Sequence, residues 1–140
     1  MTAEERNGAQ TPDGGTRRLV LLRHARAETG GGSVGAVLRP LGLTGRRLAL
    51  GVGGALRETG LVPERVLCSS ALRTRQTWEL LSAHLGDVAP DVLVSDGLYA
   101  ADVADVLDLL RTTDPRVRTL LVVGHEPTMA ATAPYLADPA

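Results

Sequence analysis

Lysine is absent from this chain: all 15 basic residues among its 140 are arginine. That excludes a Walker A loop, a Schiff-base enzyme and any lysine general base. Phenylalanine is also absent and aromatics amount to 2% of the sequence, so the core must be built from Leu, Val and Ala. Cys68 stands alone, which excludes an internal disulfide and a paired-cysteine zinc site. There is no basic excess: the formal net charge is -1 and the pI about 6.3, unlike a surface made for nucleic acid. No apolar stretch is long enough to span a membrane. Met1 to Thr16 is polar, Gly-rich and without the hydrophobic segment of a secretory signal. These absences lead to the expectation of a soluble cytoplasmic protein with no nucleic-acid or membrane partner.

What is present is enough for one domain with a real core, since 44% of the residues are hydrophobic. The organising stretch is Leu19-Val20-Leu21-Leu22-Arg23-His24-Ala25. An apolar run without Gly or Pro reads as a strand buried on both faces, and the Arg-His pair sits where that strand leaves the sheet. Leu120-Leu121-Val122-Val123 is a second such run, followed by Gly124 and His125. In open parallel sheets, ligands bind at this carboxyl edge.

Residues 1–16 have the composition of a disordered tail. A first strand is expected over Arg17 to Leu22 and a loop over Ala25 to Leu41. A helix is expected from Thr44, as N-cap, to Glu58, with Leu48, Val52, Ala55 and Leu56 on its inner side. Gly51, Gly53 and Gly54 weaken that helix but suit close packing on the sheet. Gly60 is placed to end it. Val66-Leu67-Cys68 and Val92-Leu93-Val94 read as further strands, and Thr119 to Val123 as the fourth. Helices are expected over Leu72 to Leu85, Asp102 to Arg111 and Thr128 to Leu136. Strands alternating with helices predict a three-layer α/β/α domain over residues 17–140 with a mainly parallel sheet.

Arg23-His24 can be read two ways. His24 is a nucleophile or base beside an anion-binding arginine, or it is a strand-edge histidine satisfied by a carbonyl, with Arg23 in a salt bridge. His125, taken alone, reads equally as a turn residue. Glycine before it suits a sharp turn, and Pro127 holds Glu126 extended. Arg73 falls near a helix start, a poor place for a cation unless an anion sits between guanidinium and helix. Arg75 is read as pointing elsewhere. Together, Arg23, Arg73, His24 and His125 would make a cationic pocket suited to a phosphoryl group. Phosphoryl transfer to a neutral imidazole needs such donors and, with two arginines and a second imidazole, no metal or other cofactor.

Leu22-Arg23-His24-Ala25 resembles the Arg-His-Gly signature of the histidine phosphatase superfamily, the group that includes the cofactor-dependent phosphoglycerate mutases. Ser69 to Thr77 resembles its Ser-x-x-x-Arg-x-x-Gln-Thr segment, and Gly124-His125-Glu126-Pro127-Thr128-Met129 its later Gly-His motif. The compact form is similar to the SixA-like phosphohistidine phosphatases. The resemblance implies a phosphoglycerate mutase-like fold and a covalent phosphohistidine at His24. It implies that Arg23, Arg73 and His125 bind the phosphoryl group, which water then releases as phosphate. The substrate would be a phosphohistidine protein or a phosphorylated small molecule. A non-catalytic phosphate-binding or phosphoprotein-binding module, or a small-molecule phosphomonoesterase or mutase, is the alternative. Ala25 stands for the usual glycine, as among SixA-like relatives. Arg39-Pro40-Leu41 with Thr44 resembles that subgroup's Arg-Pro-Leu-Thr run, with Gly42 and Leu43 intervening. The mutases' general acid has no clear counterpart; Asp96 and Glu28 are the candidates, each also readable as a surface carboxylate. A phosphoramidate would lessen the need for one. Relatives continue beyond Asp138-Pro139-Ala140, so the C-terminus is expected to be short, by nature or by truncation.

Other signals carry less. Gly30-x-Gly32-x-x-Gly35 has the dinucleotide spacing but starts too far beyond the strand, and a nucleotide-binding domain is the weaker reading. His84 is expected to have no role and Cys68 to behave as a small apolar residue. Asp102, Asp105 and Asp108 mark a solvated helix face rather than a metal site.

Overall fold

The computed structural model describes residues 3–10, 16–24 and 36–136. Within these, the order is β1 (Ala3–Gln10), β2 (Thr16–Arg23), α1 (Leu43–Glu58), β3 (Arg65–Ser69), α2 (Leu72–Ser82), β4 (Asp91–Ser95), α3 (Val103–Arg111), β5 (Thr119–Gly124) and α4 (Thr128–Leu136). Short 3₁₀ turns occupy Ala36–Leu38 and Asp96–Leu98.

The strands form one sheet in the order β1-β2-β5-β3-β4, with β1 antiparallel and the other four parallel. Because β2, β3 and β5 are apolar at successive positions, both sheet faces must be covered. Val20, Leu22, Val66, Cys68, Leu121 and Val123 pack towards Leu56 of α1 and Leu81 of α2. Leu21, Leu67, Leu120 and Val122 pack the other way, on Val106 of α3 and Met129 and Ala133 of α4. This is the three-layer α/β/α domain that the alternation of elements implies.

The path from β2 through β3 to β4 steps one way across the sheet, and the return to β5 steps back. Right-handed crossovers then place α1 and α2 on one face and α3 on the other. β5 is thus flanked by strands whose following segments leave towards the opposite face from its own. Such a switch point opens a crevice at the carboxyl ends of the strands.

Several expectations need correction. Residues 3–10 form a strand rather than part of a disordered tail, with Ala3 opposite Leu22 and Arg6 opposite Leu19. Pairing through the main chain asks nothing of side-chain hydrophobicity, so composition does not reveal it. Helix α1 is capped by Gly42, without a side-chain bond, rather than by Thr44. Its buried face is Gly45, Ala49, Gly53 and Leu56, while Leu48 is exposed. Gly60 does end α1: at φ +74° it lets its own N–H reach the Arg57 carbonyl and the Leu61 N–H reach that of Leu56, a Schellman motif.

Of the three glycines expected to suit packing on the sheet, only Gly53 makes a close contact, and it is with a helix. A methyl group on Gly53 would collide with the Leu81 carbonyl of α2, whereas one on Gly51 or Gly54 would meet nothing. Gly53→Ala is therefore expected to destabilise the fold by about 1–3 kcal/mol through overpacking. Gly51→Ala and Gly54→Ala should stabilise it by up to about 1 kcal/mol through helix propensity. Urea denaturation of the three variants checks the opposite signs; a stabilised Gly53→Ala would contradict the packing.

Candidate active site

The position of the two histidines follows from the register of β2 on β5. Arg23 lies opposite Gly124 in the parallel β2–β5 ladder, and the His24 N–H extends that ladder by donating to the Gly124 carbonyl at 3.0 Å. One step further, His24 and His125 are lateral neighbours. By the two-residue alternation of a strand, each takes the face of Leu22 and Val123. Their ring centroids are 5.4 Å apart, tilted by 58°, close to the spacing of adjacent strands.

Arg73 reaches this pair from the start of α2. The turn from β3 into α2 is fixed by the buried Thr74, whose hydroxyl donates to the Ser69 and Ala71 carbonyls, each at 2.8 Å. Arg73 Nη2 then lies 3.3 Å from His125 Nδ1. A guanidinium can only donate, so Nδ1 is the acceptor and Nε2 carries the proton. Nε2–H donates to Ser69 Oγ at 2.8 Å, and the same buried oxygen accepts the Ala71 N–H at 3.3 Å. Both ring nitrogens of His125 are thereby engaged.

Burial, and after it the charges of Arg73 and His24, push the His125 pKa from 6.5 down to about 4. The ring is therefore neutral at physiological pH. As pH falls below 6.5 the unfolded chain takes up a proton that the folded chain refuses until about 4, so stability present above that window is lost through it. Between about pH 7 and about pH 4.5, His125→Gln should lose less melting temperature than wild type. Equal losses in thermal melts across that range would contradict the shift.

The other predicted site residues are placed as follows. Arg23 is exposed, on the opposite alternation of β2 from His24. Among the described residues it makes no hydrogen bond to His24, Arg73 or His125. Asp96 is exposed at the head of its 3₁₀ turn, and no hydrogen bond or ion pair joins it to those three side chains among the described residues. Glu28, Ala25 and the Gly30–Gly35 spacing lie outside the described residues. Arg75 turns away, its Nε donating to the Ser70 carbonyl. The Arg39-Pro40-Leu41 run docks on α2 where the Leu41 N–H meets Gln76 Oε1 at 2.8 Å. His84 is exposed. Burial pushes the Cys68 thiol up to about 12, which leaves it inert. Gly124 does not have a positive φ; what it provides is space, since a Cβ there would press on the Met129 thioether.

Sequence reasoning passed over Tyr99. Its ring centroid lies 5.4 Å from that of His125, edge to face at 79°. The Arg73 guanidinium carbon lies 5.7 Å from the same centroid. The available signal was position: Tyr99 follows the carboxyl end of β4, as His24 and His125 follow β2 and β5.

Among the described residues, no group of three or more His, Cys, Asp or Glu side chains is placed to hold a metal ion. No described helix is long and apolar enough to cross a membrane.

No family model matches the chain. An uncharacterized protein of Mycobacterium tuberculosis is 40% identical over 117 residues, covering 84% of this chain and 70% of that one. A structure of a candidate phosphohistidine phosphatase SixA from Agrobacterium tumefaciens superposes with a TM-score of 0.78 at 28% identity, covering 85% of this chain and 75% of that one. Another such candidate, from Nakamurella multipartitia, gives a TM-score of 0.73 at 32% identity and covers 98% of this chain and 74% of that one. With the fold, the chain order of the motifs and this degree of identity in agreement, the chain belongs to the SixA-like group of the histidine phosphatase superfamily.

Proposed function

We propose that the chain is a phosphohistidine phosphatase working through a phosphorylated His24. The reading is carried by one observation: two imidazoles 5.4 Å apart and a guanidinium bonded to one of them share the carboxyl edge of the sheet. In the first step a neutral His24 ring nitrogen attacks phosphorus. The substrate's P–N bond breaks, and the leaving imidazole keeps the electron pair and takes a proton from solvent. In the second step water attacks the same phosphorus, the P–N bond to His24 breaks with its electron pair returning to the ring, water's proton passes to solvent, and inorganic phosphate departs. Arg73 at the head of α2, with Arg23 at the end of β2, supplies positive charge for the phosphoryl oxygens. His125 stays neutral and adds its polarity without becoming a competing acid.

The leaving group favours a phosphoramidate. An ester oxygen needs a placed acid, and Asp96, the candidate among the described residues, is exposed, without a bond to the cluster; Glu28 lies outside the described residues. A phosphohistidine nitrogen is protonated easily and asks less of the protein.

A panel of a phosphohistidine peptide, an aryl phosphate and a sugar phosphate tests this. The phosphohistidine peptide is expected to be favoured in kcat/KM by roughly tenfold or more. Preference for either ester would reassign the chain to the phosphomonoesterases. Phosphate binding without turnover of any of the three would make it a binding module.

A further inference from the structure

We propose that Tyr99 is a positioning residue of this site, bracing Arg73 and His125 with one aromatic ring. The inference rests on the phosphatase reading and adds to it the part that holds the cationic group in register with His24.

Three side chains form a closed triangle. Arg73 touches His125 through a 3.3 Å hydrogen bond, His125 meets the Tyr99 ring edge to face, and that ring also lies within cation–π range of the guanidinium. The single bond between Arg73 and His125 is long, and an arginine stem has many rotamers to lose. A ring against both partners narrows the choice. Groups that stabilise a phosphoryl transition state work by being in place beforehand, so a brace acts on turnover although it need not touch substrate.

The segment that carries the ring is itself tied down. Leu98, beside it in the chain, is buried in the α3/α4 core. The Tyr99 N–H donates to the Asp96 carbonyl at 3.1 Å. Two residues on, the carbonyl of the buried Ala101 accepts the Thr128 hydroxyl at 2.8 Å, which ties the Tyr99 segment to the turn that follows His125. At the other end, the Ser95 carbonyl accepts the Ser70 N–H at 3.2 Å, tying it to the turn that leads into Arg73. Tyr99 is thus built into the elements that carry its two partners. Both contacts are made by the ring rather than by the hydroxyl, so the ring is the operative part.

The test compares Tyr99→Phe and Tyr99→Leu with wild type on a phosphohistidine peptide. Tyr99→Phe should keep kcat within about twofold, and Tyr99→Leu should lower it by about tenfold or more with little change in KM. The inhibition constant for vanadate should rise in step with the loss of kcat. In an Arg73→Ala background the further loss from Tyr99→Leu should shrink to less than about threefold, because the brace then lacks one partner. If Tyr99→Leu does not fold, Tyr99→Met, which fills the space without a ring, takes its place. A ringless variant with wild-type kcat overturns the proposal. So does Tyr99→Phe falling as far as Tyr99→Leu, which would assign the role to the hydroxyl. So does full additivity with Arg73→Ala. Wild type that fails to turn over phosphohistidine would instead overturn the phosphatase reading.

Discussion

His24→Ala is expected to lower turnover by on the order of 10⁴-fold or more, since it removes the atom that accepts the phosphoryl group. The fold should survive. The backbone N–H of residue 24 still bonds the Gly124 carbonyl, and the half-buried imidazole is not part of either hydrophobic cluster. His125 should stay neutral in the variant, because burial is the largest cause of its depressed pKa and the His24 charge the smallest. The remaining imidazole therefore offers no reason for a residual rate: one of its nitrogens accepts from Arg73 and the other donates to Ser69. Phosphate release with a matched thermal melt measures this. A folded variant within about tenfold of wild type would remove His24 from the nucleophile's role.

Arg73→Ala carries the second large effect, a loss of about 10²–10³-fold in kcat, typical of removing one donor to a charged transition state. Stability should change far less than rate. The substitution loses the contacts to His125 and Tyr99, but it also removes a cation that opposes the dipole in the first turn of α2. The same substitution removes the larger of the two charges that, after burial, hold the His125 pKa down. The His125 ring, followed by NMR titration, should then take up its proton at a higher pH than in wild type. Arg73→Lys should restore only part of the rate, because an ammonium keeps the charge and loses the planar fork. A near-normal rate in Arg73→Ala, with an unmoved His125 titration, would place Arg73 outside the site.

The sheet was legible where apolar runs were. Leu19–Leu22 and Leu120–Val123 are each followed by one residue and then a histidine, and the parallel register turns that arithmetic into two adjacent rings. Helix α3 was legible because its apolar spacing begins at a good cap, and Asp102 with Asp105 forms a full capping box there. Strand β1 was hidden because backbone pairing does not depend on side-chain hydrophobicity. The inner face of α1 was misjudged for a related reason. Close approach of two helices selects small residues, so Gly45, Ala49 and Gly53 face inward while the larger Leu48 turns out. At the site, motif spacing carried His24, Arg73 and His125, and strand ends gave their common edge. It could not carry Tyr99, whose partners lie 26 residues away in the chain on either side. Nor could it decide the acid: Asp96 satisfies the strand-end rule yet faces solvent.

The central claim is that a phosphoryl group passes through His24. The most direct measurement is mass spectrometry of the protein quenched under alkaline conditions during turnover of a phosphohistidine peptide, with the modified residue mapped by fragmentation. The account predicts one acid-labile phosphoryl group on His24, absent from His24→Ala and accumulating to a similar or greater fraction when hydrolysis is slowed. A phosphoryl group on His125 or His84, or undiminished labelling of His24→Ala, would contradict it.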